Sequence, residues 1–181
     1  VNYADLRKLN LTEDSLSRIS FRVDANFLGN NIDNLRGNLM LDQLAYVNQN
    51  DSLFLDHAII TSTFGSDSSV FSLQSDWIDG QISGNYRFLD IVASLKGFLR
   101  EYIPSLYSEA KGREADNNQF SFSFQVKNTD PLTRVFVPAL AVQTPFSLNG
   151  FYHPREKSVG IETVIPTIRY ANQSIEKLRI K

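Results

Sequence analysis

The chain of 181 residues contains no cysteine, one methionine, one tryptophan and two histidines. Disulfide bridges, thiol catalysis and cysteine-ligated metals are therefore excluded. The charges almost cancel, with 18 Lys and Arg against 20 Asp and Glu. Binding to nucleic acid or to anionic lipid headgroups through an overall positive charge is therefore excluded as well. No apolar run approaches the roughly 18 residues of a membrane-spanning helix, and no signal-peptide pattern opens the chain.

What the chain does contain is phenylalanine, at 13 positions. A hydrophobic fraction of 42% with 21% charged residues is ordinary for a folded chain and argues against disorder. The length suits one domain, or a piece of a longer repetitive one. The question that the composition raises is where the phenylalanine rings lie.

Alternation of apolar and polar residues predicts strands along most of the chain. Between Ser17 and Phe27 the odd positions are apolar and the even positions are polar or charged, which is typical of a strand with one wet face. The run from Leu53 to Phe64 is rich in strand-forming residues but carries apolar residues on both faces. Similar alternation returns at 35–42, 71–74, 82–88, 120–127 and 159–165. Because the gaps are short and rich in turn residues, the pattern favours a mainly β fold with an antiparallel meander.

One segment has a helical period instead. The apolar spacing in 89–106 predicts an amphipathic helix at about 90–103, with Asp90 as its N-cap and Pro104 near its end. The polar residues that follow predict a loop at 108–119 and a possible internal division there of an otherwise single β-rich segment, 1–181. Ile175, Leu178 and Ile180 indicate one more strand near the end. We expect the chain to be an internal fragment of a longer protein.

The order of these segments resembles the TamB family, the translocation and assembly module of diderm bacteria, and particularly its Bacteroidetes-type members. The first stretch that carries the resemblance is the strand and helix from Phe71 to Tyr107. The second is the strand that runs into Asn-x-Asp-Pro-Leu, from Phe120 to Val142. The third is the hairpin and the Pro-x-Ile-x-Tyr stretch from Ser147 to Ile180. The resemblance lies in the order of these structural motifs, over most of 20–180.

The resemblance implies a long, curved antiparallel sheet that forms a U-shaped groove with an apolar interior. It implies phospholipid transport between the inner and outer membranes along that groove, assembly of outer-membrane proteins with an Omp85-type barrel partner, or both. It also implies a periplasmic location and a membrane anchor outside this chain. No cofactor is implied.

A sheet face covered by phenylalanine and aliphatic residues is unstable in water, since burying each such side chain is worth roughly 1.5–3 kcal/mol. Either a second sheet packs on the face, as in a self-contained β-sandwich that binds carbohydrate or protein, or the sheet curls around an apolar ligand such as phospholipid acyl chains. Alternation is the same in both, and by itself it favours the sandwich, which is the commoner architecture. The resemblance reverses this preference and favours the groove. For each predicted lining residue, ordinary core packing stays an alternative. The predicted lining residues are Ile19, Phe21, Val23, Phe27, Leu39, Leu41, Phe120, Phe122 and Phe124.

The sequence offers little for catalysis. His57 and His153 are far apart and have no cysteine partners, which favours structural or surface roles. Asp76 and Asp79 flank Trp77 near a turn, where aspartate commonly bonds to backbone groups. No nucleophile elbow or phosphate-binding glycine loop occurs. The Asn-x-Asp-Pro pattern at 128–131 predicts a turn in which Asp130 accepts backbone donors. We therefore predict that the chain is not an enzyme.

Overall fold

The computed structural model describes residues 4–5, 17–30, 32–34, 36–48, 51–65, 68–87, 90–91, 118–156 and 158–181. Their regular structure is mainly β. The strands are β1 (Ala4–Asp5), β2 (Arg18–Leu28), β3 (Arg36–Val47), β4 (Ser52–Phe64), β5 (Ser69–Ser75), β6 (Ile78–Asn85), β7 (Gln119–Val126), β8 (Leu140–Val142), β9 (Phe146–His153), β10 (Ser158–Tyr170) and β11 (Gln173–Ile180). One short helix, α1 (Asp130–Phe136), follows β7, and 3₁₀ turns lie at Ile32–Asn34 and Pro154–Glu156.

All eleven strands belong to one sheet, in which every pair of neighbours is antiparallel. The strands lie in the order of the sequence, which is a meander, and β1 and β11 are the two edges among the described residues. The mainly β class and the antiparallel meander predicted from the alternation are confirmed, and so is the single antiparallel sheet that the resemblance implied. The sheet is open, because its two edges do not pair with each other. The U-shaped groove stays a prediction.

Strands β8 and β9 follow one another along the same edge of β10. Val142 lies opposite Ile168, and Leu148 lies opposite Thr163. From Val142 to Leu148 the chain advances six residues, whereas the facing part of β10 advances only five, from Ile168 to Thr163. The extra residue is that of a β-bulge. The meander thus consists of ten strand positions, with β8 and β9 sharing one of them.

A second irregularity lies at Gln43 in β3 and at Asp56 in β4. Gln43 has a positive φ of 52°, and the register between β2 and β3 shifts at this point. Leu44 pairs with Leu55 on one side of the irregularity, and Leu41 pairs with Ala58 on the other. Leu53, Leu55 and Ala58 are all buried, so they occupy one face although their numbers differ in parity. The irregularity explains why the sequence of β4 indicates apolar residues on both faces.

Helix α1 corrects the predicted turn at 128–131. Pro131 lies in the first helical turn, where its missing N–H leaves no hydrogen bond unmade. The side chain of Asn128, not that of Asp130, accepts the local backbone donor, the N–H of Asp130 at 3.0 Å. Val135 is only 2% exposed, and the helix contacts both β4 and β8. The chain after β7 therefore folds back towards the first half of the sheet before it forms β8.

The predicted helix at 90–103 falls mostly outside the described residues. Asp90 and Ile91 are helical, and 92–103 is not described. Residues 108–117 of the predicted loop at 108–119 also lie outside the described residues. Its last residue, Gln119, is the first residue of β7. The strands before and after this insertion, β6 and β7, pair with each other from Ile78 to Asn85.

Candidate functional site

The register of the sheet places one row of mainly apolar residues across nine strands. Residues directly opposite one another in neighbouring strands point to the same face. Apart from one glycine and one threonine, each member of this row is hydrophobic. The row consists of Ala25, Leu39, Ile60, Leu73, Gly80, Phe124, Leu148, Thr163 and Ile180. We call the face that carries it the apolar face.

The neighbouring row, one residue along each strand, points to the opposite face and has the opposite character. Each of its members is polar, and it consists of Asn26, Asn38, Thr61, Ser72, Gln81, Ser123, Asn149 and Glu162. We call this side the polar face. The contrast shows that the alternation read in single strands is in phase across the whole sheet.

All nine residues predicted to line a groove lie on the apolar face. Leu39 and Phe124 belong to the row described above. The row two residues along the strands contains Phe27 and Phe122 and connects them through Gly37, Ser62, Phe71 and Ile82. Val23 pairs with Leu41, and Ile19 and Phe21 continue the same face of β2, while Phe120 continues that of β7. The structure therefore brings the set onto one surface, and its role as a lipid lining stays a prediction.

The phenylalanines of β7 form a continuous aromatic strip along the apolar face. The ring centroids of Phe120 and Phe122 are 6.4 Å apart, and those of Phe122 and Phe124 are 5.9 Å apart. Glycines lie beside the strip, because the ring of Phe124 covers Gly80 and the ring of Phe122 covers Gly150, where a Cβ atom would collide with them. The rings can therefore lie down on the backbone of the neighbouring strands. The result is a broad hydrocarbon surface instead of separate projecting side chains.

The two ends of this surface are covered, and the middle is more open. At one end Phe120, Tyr86 and Tyr152 form a buried aromatic cluster, each 2–5% exposed. Phe120 is therefore core, whereas Phe122 and Phe124 in the middle are only partly buried. At the other end Phe136 of α1 stacks on Tyr46 at 5.8 Å. The accessible part of the apolar face lies between these two ends.

Tyr86 has an unusual environment within the aromatic cluster. Its ring packs edge-on against Phe120, with centroids 6.1 Å apart. Its hydroxyl is buried and has no hydrogen-bond partner, a state that costs about 1–3 kcal/mol. Burial also raises the pKa of Tyr86 to about 12, because the phenolate would be poorly solvated there.

The acidic residues near Trp77 each bond to a different part of the sheet. The Asp76 carboxylate accepts the backbone N–H groups of Asp56 at 2.8 Å and His57 at 3.1 Å, at the irregularity in β4. The Lys127 ammonium lies 2.7 Å from the Asp79 carboxylate, and its hydrogen bond lowers the pKa of Asp79. Each carboxylate therefore stabilises a different point of the sheet.

The two histidines lie apart. The ring Nδ1 of His57 in β4 is 2.6 Å from the carboxylate of Asp42 in β3. His153 ends β9, and its ring lies 5.1 Å from the ring of Phe151 at a tilt of 40°. Within the described ranges, no group of three or more metal-binding side chains comes together.

The polar face carries a shallow cleft of about 440 Å³ over β5, β6 and β7. Serines and glutamines line much of it, including Ser72, Gln81 and Ser123. Several of these side chains bond to their neighbours in the next strand, as the Ser123 hydroxyl does when it donates to Asn149 at 2.7 Å. Apart from Asp79, which is paired with Lys127, the polar side chains that line the cleft are uncharged.

The fold defines the chain as an open antiparallel meander with one apolar and one polar face. Comparison with protein-family models, curated proteins and solved structures finds no match. The TamB resemblance therefore rests on the sequence segments alone. No helix in the described part of the chain is long and apolar enough to cross a membrane.

The sequence did not reveal several parts of this surface. Ile60, Leu73 and Leu148 belong to the central apolar row and were not among the predicted lining residues. The alternation at 71–74 contained the signal for Leu73. Ile60 was hidden because the sequence of β4 shows apolar residues on both faces. The alternation at 82–88 included Tyr86, but it could not show the burial of Tyr86, which depends on Phe120 and Tyr152.

Proposed function

We propose that the apolar face binds the acyl chains of phospholipids, and that this chain is a periplasmic segment of a TamB-like protein of the cell envelope. In this function the sheet provides a hydrophobic surface for phospholipid transport between the inner and outer membranes. The same surface, or the open strand edges beside it, would serve outer-membrane protein assembly with an Omp85-type barrel partner. The membrane contacts of the whole protein would lie outside this chain.

The observation that carries the proposal is the continuity of the apolar face across nine strands. Its central residues, including Leu73, Phe122 and Phe124, are only partly buried. A monomeric protein rarely leaves a contiguous apolar surface of this kind in contact with water. An occupant with long hydrocarbon chains would remove it from water without needing specific polar contacts.

The chemistry of the surface favours acyl chains over headgroups as the bound part. The central row contains no charged side chain, and the whole chain has a net charge of only −2. Recognition of an anionic headgroup would need basic side chains at the site. A lipid bound here would therefore lie with its chains on the sheet and its headgroup towards water.

The β-sandwich alternative has less support. All strands of the described residues belong to one sheet, and none of them packs as a second sheet on the apolar face. Sugar binding by a sandwich would use exposed aromatic rings, such as Trp77, Tyr107 and Tyr152. Tyr152 is only 4% exposed, within the aromatic cluster, and Tyr107 lies outside the described residues.

Lipid extraction tests the proposal. The chain is produced in the periplasm of a diderm bacterium, purified without detergent and extracted, and phospholipid per protein is measured by mass spectrometry. We expect phospholipid on the unmodified chain and about tenfold less on Phe122→Asn, because the apolar contact of one ring is lost. Ser123→Asn is the matched control, since it introduces the same residue on the polar face, and it should keep its phospholipid. Absence of phospholipid from the unmodified chain, or equal loss in both folded variants, would contradict the proposal.

A further inference from the structure

A row of buried residues bounds the accessible part of the apolar face at one end of the strands. Ser69 pairs with Gly84, Gly84 with Phe120, and Phe120 with Tyr152, so the row crosses β5, β6, β7 and β9. Ser69, Phe120 and Tyr152 are each 2–6% exposed. The accessible apolar surface of β7 therefore begins at Phe122, the next residue on this face.

The opposite boundary lies at β4 and α1. Leu55 and Ala58 of β4 are 5% and 3% exposed, and α1, whose Val135 is 2% exposed, contacts the same strand. Further along this face of β4, Ile60 is partly buried and Ser62 is buried again. Ala58 and Ser62 are four residues apart, which is about 13 Å at the rise of a strand. The accessible band is therefore narrow in the direction of the strands.

The same band is long in the direction across the strands. On β7 it comprises Phe122, Phe124 and Val126, which again span about 13 Å. The central row from Ala25 to Ile180 crosses nine strands, and eight spacings of about 4.8 Å make about 38 Å. The acyl chains of one leaflet reach about 15 Å, half of a bilayer core of about 30 Å, and more when extended. An acyl chain is thus longer than the band is wide, but it fits within the length of the band.

The central row offers a continuous hydrocarbon surface over the distance that one chain needs. Leu148, Phe124, Gly80, Leu73 and Ile60 follow one another on β9, β7, β6, β5 and β4. All five are partly buried, and the ring of Phe124 fills the place beside Gly80 where a side chain is missing. From Leu148 to Ile60 there are four strand spacings, or about 19 Å.

We infer that a bound acyl chain lies across the strands, along the central row from Leu148 to Ile60, and that the apolar face selects long chains. This inference rests on the proposed function and adds a direction and a chain length to it. Each methylene on the row adds to binding, whereas a chain along β7 would extend beyond the band and leave methylenes without contact. A short chain fills only part of the row.

Displacement of the hydrocarbon dye diphenylhexatriene by palmitic acid tests the direction. Ile60→Thr and Leu148→Thr each place a hydroxyl at one end of the inferred path and keep a strand-forming residue there. Each should weaken palmitic acid about threefold or more, because both ends contact the same chain. Val126→Thr is the matched control, since it adds a hydroxyl on the same face but off the central row, and it should bind palmitic acid like the unmodified chain. Urea unfolding shows that each variant is folded.

Octanoic acid tests the length. It is about half as long as palmitic acid and can occupy whichever half of the path is intact, so neither Ile60→Thr nor Leu148→Thr should weaken it more than about twofold. Unchanged binding of palmitic acid to Ile60→Thr, an equal loss in Val126→Thr, or equal losses for octanoic acid would overturn the inference and leave the proposed function intact. Failure of the unmodified chain to bind both the dye and palmitic acid would contradict both.

Discussion

At the scale of residues, the apolar face depends on pairs of unlike neighbours. Phe124 pairs with Gly80, and Phe122 pairs with Gly150, so a large ring in each case meets a residue without a side chain. The ring then covers backbone that would otherwise be exposed to water. It also fills the space that the glycine, which has no side chain to pack, leaves in the strand. The phenylalanines thus both cover the backbone of the sheet and form its apolar surface.

The buried hydroxyl of Tyr86 predicts a pH dependence of stability. Burial raises its pKa from an ordinary value near 10 to about 12, so the folded chain keeps a proton that the unfolded chain releases. This contribution to the free energy of unfolding is fully present below pH 10 and is lost as the pH rises to 12, at up to about 1.4 kcal/mol per pH unit. Urea unfolding of the unmodified chain and of Tyr86→Phe measures it.

The comparison between the two proteins isolates Tyr86 from the other groups that titrate at high pH. As the pH rises from 10 to 12, the free energy of unfolding of Tyr86→Phe should rise relative to that of the unmodified chain. Below pH 10 the variant should be at least as stable as the unmodified chain, since it no longer buries an unpaired hydroxyl. Parallel pH profiles would show that the Tyr86 hydroxyl is solvated in the folded protein.

Part of this arrangement of residues could be predicted from the sequence. Strict alternation was enough to predict that Phe120, Phe122 and Phe124 share a face, because the side-chain period of a strand is two. It could not show that Phe120 is core while Phe122 is partly exposed, because that difference depends on Tyr86 and Tyr152 from other segments of the chain. Burial of this kind follows from contacts between segments that are far apart in sequence.

At the scale of elements, the irregular positions decide which residues meet. The irregularity at Gln43 and Asp56 keeps Leu53 and Leu55 on the same face as Ala58, and Asp76 accepts backbone donors there. A one-residue change of register would move these side chains to the polar face. The bounds of β2, β4 and β7 were predicted to within one residue, whereas the alternation at 35–42 and 159–165 stops five residues short of the ends of β3 and β10. For β4 the irregularity left only an ambiguous pattern.

Helix α1 predicts a difference between two of its apolar residues. Val135 is 2% exposed, and Leu132 is 41% exposed. We expect Val135→Ala to lower the free energy of unfolding by about 2 kcal/mol through lost contacts and a cavity, and Leu132→Ala to change it by about 0.5 kcal/mol or less. Chemical denaturation measures both. Equal effects would contradict the docking of α1 through Val135.

At the scale of the whole molecule, the sheet is a meander in sequence order. Short connections with turn residues made this arrangement predictable, since they leave no room for parallel crossovers. Alternation could not distinguish one open sheet from two sheets packed as a sandwich, because both bury one face of every strand. The pairing of β6 with β7 across a long insertion, and of all strands in one sheet, decides between these architectures.

The central claim is that the apolar face, and not the polar face, contacts lipid. The most direct measurement is site-specific photo-crosslinking in living bacteria, with the photoreactive residue at Phe122 in one variant and at Ser123 in the other. These adjacent positions of β7 point to opposite faces. We predict phospholipid adducts from position 122 and none from position 123, detected by mass spectrometry of the purified chain. Equal labelling at both positions, or labelling at neither, would contradict the claim.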